Sequence, residues 1–134
     1  MADRATDRLG VRTVVCAPDG PALRTDRDLT DLIGHALADG AEVVAIPAQR
    51  LGDGFFTLRT GVAGRVVQKF VNYRLRLVIV GDIREHLGRS SVLRDYVGES
   101  NRGHHLWFVP DLAALDARLA RAARDRGRYD PEAR

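Results

Sequence analysis

The stretch FFTLRTGVAGRVVQKFVNYRLRLVIVGDI, Phe55–Ile83, decides the fold. The pair Thr60-Gly61 opens an amphipathic segment. At about 100° per residue, Val62, Ala63, Val66, Val67, Phe70 and Tyr73 share one side, and Arg65, Gln68, Lys69 and Asn72 share the other. This spacing predicts a helix over Gly61–Tyr73. The run Arg76–Gly81 follows, and its continuous apolar residues are those of a central strand buried on both faces. The order is loop, helix, strand, and the strand stops at Gly81-Asp82.

The same reading extends outward. Val11–Ala17 is β-branched and apolar, a buried strand, with ATDRLG before it as a weak edge strand and Gly10 in the turn. Leu29, Leu32, Ile33, Ala36 and Leu37 fall on one helical face, with Thr25 or Asp28 as cap and Gly40 as stop. Glu42–Pro47 is the next strand, and QRLGDGFF reads as a loop. Ser90 or Ser91 caps a third helix with Val92, Leu93, Tyr96 and Val97 inward, ended by Asn101-Arg102-Gly103. His105–Val109 forms another strand, and Pro110-Asp111 opens a last helix with Leu112, Leu115 and Leu119 inward.

Strands and helices therefore alternate. That order predicts an α/β domain with a mixed, mainly parallel sheet of four to five strands and flanking helices. One domain is expected over residues 1–123, with a disordered basic tail over residues 124–134. In such sheets ligands bind outside the carboxyl ends of the strands, here near Pro18, Gln49-Arg50, Gly81-Asp82 and Pro110-Asp111.

Composition narrows the function classes. Hydrophobic residues make up 45% and charged residues 29% of the 134, a globular balance. The apolar runs are too short to span a bilayer and the charged start has no signal-peptide core, so a cytoplasmic location is expected, with no membrane partner. The single cysteine, Cys16, lies in an apolar run and reads as a small buried hydrophobe. The net charge of +3 is carried almost wholly by arginine, Lys69 being the one lysine. Arg118, Arg121, Arg124, Arg126 and Arg128 are interrupted by acids and lack interleaved aromatics, which disfavours nucleic acid.

Three places could carry chemistry. Thr60-Gly61 sits at a helix start, where free N–H groups attract anions, and Arg59 adds charge; an ordinary N-cap uses the same residues. The stripe Arg65, Gln68, Lys69 and Asn72 offers hydrogen bonds to a polar ligand or partner, or is a solvated face. Arg94, Asp95, Glu99, Asn101, Arg102, His104 and His105 hold acid/base and carboxylate-binding groups, or ordinary helix-end ion pairs. His104 and His105 alternate in a strand, so only one can face a given side, and no Cys or carboxylate stands at metal-ligand spacing, so no metal site is expected. Asp82 could orient a ligand or cap a turn, and Phe55-Phe56 covers a pocket or plugs the core under the long loop, the core being the preferred reading. No phosphate loop, dinucleotide fingerprint or nucleophile elbow is present, and no cofactor is expected.

The phenylalanine pair, Thr-Gly-x-Ala-Gly, Gln-Lys-Phe, Asn-Tyr, Val-Gly-Asp, Leu-Arg-Asp and Glu-Ser-Asn-Arg-Gly together resemble the bacterial family called domain of unknown function 4180, over about Gly10–Leu119. That resemblance implies no activity. A more distant likeness is to STAS domains, the anti-sigma-factor antagonists, in which strands and helices also alternate and a helix begins at Asp-Ser-Ser/Thr-Gly. Thr60-Gly61 matches the last two positions of that motif, but Leu58 stands at its Asp and Arg59 at its phosphorylated Ser. The likeness implies a binding or regulatory role without the phosphorylation switch.

The expectation is a STAS-like binding module that engages a protein partner or a small anionic ligand, and a homodimer is admissible. Its surface would join Arg59, Thr60, Gly61, Gln68 and Asn72 to Arg94, Glu99, Asn101 and Arg102. The alternative is a small cofactor-independent enzyme, a lyase, isomerase or cyclase acting on a carboxylate, with Glu99 or His104 as acid/base. An enzyme requires Glu99, His104 or Asp82 to converge on one cavity.

Overall fold

The computed structural model describes residues 3–128 of the chain. Five strands, β1 (Arg4–Arg8), β2 (Val11–Val15), β3 (Val43–Pro47), β4 (Arg76–Val80) and β5 (Leu106–Val109), form one sheet in the order β1-β2-β3-β4-β5. β1 is antiparallel to β2 and every other pair is parallel. This is the mixed, mainly parallel α/β sheet that the alternation of patterns predicts. Leu9 and Gly10 make the hairpin turn, both with positive φ, which matches the right-handed twist of the two strands.

Helices α1 (Asp26–Ala38), α2 (Asp53–Phe56), α3 (Val62–Asn72), α4 (Arg84–Arg89), α5 (Ser91–Arg102) and α6 (Leu112–Arg128) complete the chain. Strand alternation sorts the core into two layers. Val14, Val44, Ile46, Leu77, Ile79, Leu106 and Phe108 face one way, onto Leu29, Leu32, Ile33, Ala63, Val66, Phe70 and Leu93 of α1, α3 and α5. Val11, Val43, Ala45, Val78, Trp107 and Val109 face the other way, onto Leu115 and Leu119 of α6. Among the described residues a single helix, α6, covers that second layer, and Arg8 of β1 grips it by donating two hydrogen bonds to Asp116, at 2.8 and 3.0 Å.

Local signals hold with small shifts. Thr25 and Asp28 cap α1 together, each side chain bonding the other's backbone N–H in a capping box. Ser90 is the cap of α5. Two expectations are corrected. QRLGDGFF is no open loop: it folds into a 3₁₀ turn, Ala48–Arg50, and the short helix α2. Val92 points outward, 63% exposed, because α4 ends one residue before α5 and turns the first residues of α5 to the rim. α6 is described as helix to Arg128, and residues 129–134 of the expected tail lie outside the described residues.

Candidate functional site

Strand direction decides which residues meet. A helix joining parallel neighbours runs back against the strands, so α3 starts at the carboxyl ends of the strands and α5 finishes at their amino ends. Arg59, Thr60 and Gly61 therefore stand at one end of the sheet, beside the start of α5. Glu99, Asn101 and Arg102 stand at the other. Gln68 and Asn72 run down the outer side of α3 away from Thr60. The expected single surface is thus divided between two ends of the molecule.

Most of its members are occupied locally. Gln68 Nε2 donates to Asn72 Oδ1 at 2.7 Å, and Arg102 pairs with Glu99 at 2.8 Å on an exposed turn. Asn101 Oδ1 accepts from the Phe108 N–H at 2.7 Å, satisfying a donor on the free edge of β5, and its carbonyl accepts from Arg118. Arg94 donates to the Leu87 carbonyl at 2.6 Å and so closes the end of α4. Thr60 Oγ shares its proton between the Gly54 and Thr57 carbonyls, both at 2.8 Å, and accepts from the Val62 N–H. Gly61 adopts φ 76°, a left-handed conformation that suits glycine and lets the chain turn from the 3₁₀ turn Leu58–Thr60 into α3. Lys69 pairs with Asp26 at 2.8 Å.

Arg59 is the exception. It is exposed, and its guanidinium makes no hydrogen bond or ion pair among the described residues. It lines a groove of about 510 Å³. One wall is Asp53, Phe56, Thr57, Leu58 and Arg59, from α2 and the 3₁₀ turn after it; the other is His86, Arg89, Ser90 and Val92, from α4 and the start of α5. Phe56 and His86 stack between the walls, ring centroids 4.3 Å apart and planes 13° apart. Phe55, 1% exposed, sits beneath, edge-on to Phe56 at 5.1 Å and 6.4 Å from Phe108. Phe55 is thus the expected core plug, while Phe56 also forms part of the groove. Arg89 faces Glu85 at only 4.0 Å, both exposed, so its charge stays available. The groove offers two guanidiniums and an imidazole against one carboxylate, Asp53, around an aromatic stack with apolar Val92 at the rim.

His86, Arg89 and Val92 are the groove residues that sequence pattern does not single out. α4 carries no strong apolar period, and its contact with α2, the Phe56–His86 stack, arises only in the fold.

The acid/base candidates do not meet. Glu99 and His104 are at the amino ends of the strands and Asp82 at the carboxyl ends. Asp82 accepts from the Arg84 N–H and from its guanidinium at 2.7–3.2 Å, and these bonds pull its carboxyl down to about 2. It is held as a carboxylate with its lone pairs engaged. His104 and His105 precede β5, in a bend, so strand alternation does not separate them, and both line one cavity at the amino ends. Among the described residues, no group of three or more His, Cys, Asp or Glu could hold a metal ion, and no helix is long and apolar enough to cross a membrane.

Cys16 is buried as expected, but it has company that the sequence pattern does not reveal. Arg50, 4% exposed, donates from Nη1 to Asp3 Oδ1 at 2.8 Å and to the Ala17 carbonyl at 3.0 Å, and from Nε to the Pro21 carbonyl at 2.9 Å. Asp3 also accepts from the Ala17 N–H. This buried network ties the chain start to the ends of β2 and β3.

Compared with known proteins, residues 8–119 match the family model described as Domain of unknown function (DUF4180). No curated protein and no solved structure matches the chain.

Proposed function

Because the chain belongs to the DUF4180 family, whose description states no activity, we propose its function from the groove: a cytoplasmic binding module that receives an anionic group flanked by apolar surface. The group sits on a small carboxylate ligand or on an acidic segment of a protein partner. The observation that carries this reading is the unpaired Arg59 on one wall, with Arg89 on the other and the Phe56–His86 stack between them. A guanidinium presents paired donors to a carboxylate, and the stacked rings offer a flat face to an apolar neighbour.

The module is STAS-like in outline. Support comes from the alternation of strands and helices and from a helix that begins directly after Thr60-Gly61. Arg59, at the place of the phosphorylated serine, adds positive charge where a phosphorylated switch would add negative charge. Recognition therefore rests on a permanent cation. A small enzyme would need a converging acid and base; Asp82 stands at the opposite end of the strands from Glu99 and His104, and none of the three lines the groove, so binding is the preferred reading.

Titration with 2-naphthoate, an aromatic carboxylate, tests the proposal by calorimetry or amide chemical shifts. Arg59→Ala and Arg89→Ala should each weaken binding by about tenfold, the value of one charge-assisted hydrogen bond. Neither should lower the melting temperature, since neither side chain supports the fold. Equal binding by wild type and Arg59→Ala would sink the reading.

A further inference from the structure

A second site lies at the opposite end of the sheet. At the end of α3 the Leu75 N–H donates to the Phe70 carbonyl and the Arg74 N–H to the Val71 carbonyl, at 3.0 and 2.9 Å. With Tyr73 as C-cap this is a Schellman motif, and Arg74 occupies its left-handed position, φ 59°. Glycine adopts that conformation without penalty; an arginine does so against the clash of its Cβ with the following carbonyl. The side chain gains nothing in return inside the protein: the Arg74 guanidinium makes no hydrogen bond or ion pair among the described residues. A strained residue without a structural return points to a role outside the fold.

Arg74 lines a cavity of about 360 Å³ together with Arg76, His104, His105 and the single acid Glu42. Arg76 is held firmly there. Its Nε donates to the His104 carbonyl at 2.6 Å, and its guanidinium lies over the Trp107 ring, 4.2 Å from the centroid, as does that of Arg118. Trp107 is fixed in turn by donating from Nε1 to the Gly103 carbonyl at 2.8 Å. Cationic charge is thus built into one wall, Arg74 is presented from another, and two exposed imidazoles add N–H donors.

From this geometry we infer that the cavity binds a phosphate group, free or as a small phosphate ester. Donors on Arg74, His104 and His105 come from α3's end and the bend before β5, and Arg76 on β4 adds positive charge beside them. Such a spread suits a tetrahedral dianion with several terminal oxygens better than a planar carboxylate. The site is separate from the groove at Arg59, which lies beyond the other end of the strands.

The test uses the full chain with inorganic phosphate and phenyl phosphate as probes, at ionic strength balanced with chloride, followed by amide chemical shifts and calorimetry. Saturable binding by wild type is expected. Arg74→Gly should reduce affinity at least tenfold while raising the melting temperature by a few degrees, because glycine relieves the left-handed strain. A purely structural arginine would not separate the two readouts in that way. Phenyl phosphate binding more tightly than inorganic phosphate assigns an ester; the reverse assigns the free ion. The Arg59→Ala, Arg89→Ala double variant should bind phosphate as wild type does. Should Arg74→Gly fold poorly, His105→Gln, whose exposed ring makes no hydrogen bond or ion pair among the described residues, must show the same loss of affinity. Absence of saturable phosphate binding up to about 10 mM, or undiminished binding in these two variants, overturns the inference.

Discussion

Gly20 packs directly on the guanidinium of Arg50: a Cβ at position 20 would stand 2.5 Å from Arg50 Cζ. Arg50 has no room to withdraw, since it is buried and holds Asp3, Ala17 and Pro21 through its three hydrogen bonds. Gly20→Ala should therefore cost about 1–3 kcal/mol, by overpacking against the buried guanidinium. Urea denaturation with an unchanged m-value checks this; a loss below about 0.5 kcal/mol would mean the network yields easily.

The pair Arg8–Asp116 clamps α6 over the second face of the sheet. The two side chains are 23% and 39% exposed, so solvent screens part of the attraction. Asp116→Asn should lower stability by about 0.5–1.5 kcal/mol. In a double-mutant cycle, adding Arg8→Met should cost little more, because the bidentate bond is already gone.

Leu115 is fully buried between α6 and the sheet. Leu115→Ala should cost about 2–4 kcal/mol, from lost burial plus the cavity it leaves. Since α6 alone closes that layer among the described residues, amide hydrogen exchange should quicken in α6 before it quickens in α3.

Burial, helped by the Asp3 carboxylate and opposed by the Arg50 charge, pushes the Cys16 thiol up to about 12. A thiol reagent at pH 8 should leave the folded protein unlabelled and label it fully in urea. The folded value lies above the ordinary value of 9.0, so stability from this site is complete below pH 9.0 and falls as pH rises from there toward about 12. The stability difference between wild type and Cys16→Ala should show that decline.

Asp82 behaves in the opposite sense. Its folded value is lowered by the Arg84 side-chain and backbone hydrogen bonds, from 3.8 to about 2. The contribution is present above pH 3.8 and is lost as pH falls through about 2. The gap in melting temperature between wild type and Asp82→Asn should narrow over that window; a gap that stays constant from above pH 3.8 down through about 2 would show that the Arg84 hydrogen bonds stabilise without the charge.

Elements with a strong local signature were legible. The continuous apolar run before Gly81 identifies a strand buried on both faces, and Thr25 with Asp28 marks a helix start within a residue. QRLGDGFF was not, because glycines mask the short helix that Phe55 and Phe56 build by packing. The groove was half legible. Arg59 stands out beside Thr60-Gly61, but His86 and Arg89 lie on a short helix whose role comes from what it packs against.

The sequence by itself determined the alternation of strands and helices, the two-sided burial of the central strands and the inert character of Cys16, all of which follow from periodicity and neighbour chemistry along the chain. Only the tertiary structure decided which polar groups share a surface. Parallel strands force each connecting helix to run backward, so the start of α3 and the end of α5 part to opposite ends of the sheet. The same rule brings Arg59 to Arg89 at one end and Arg74 to His104 and His105 at the other. Distance along the chain carries no record of that direction, because it is set by hydrogen bonding between strands far apart in sequence.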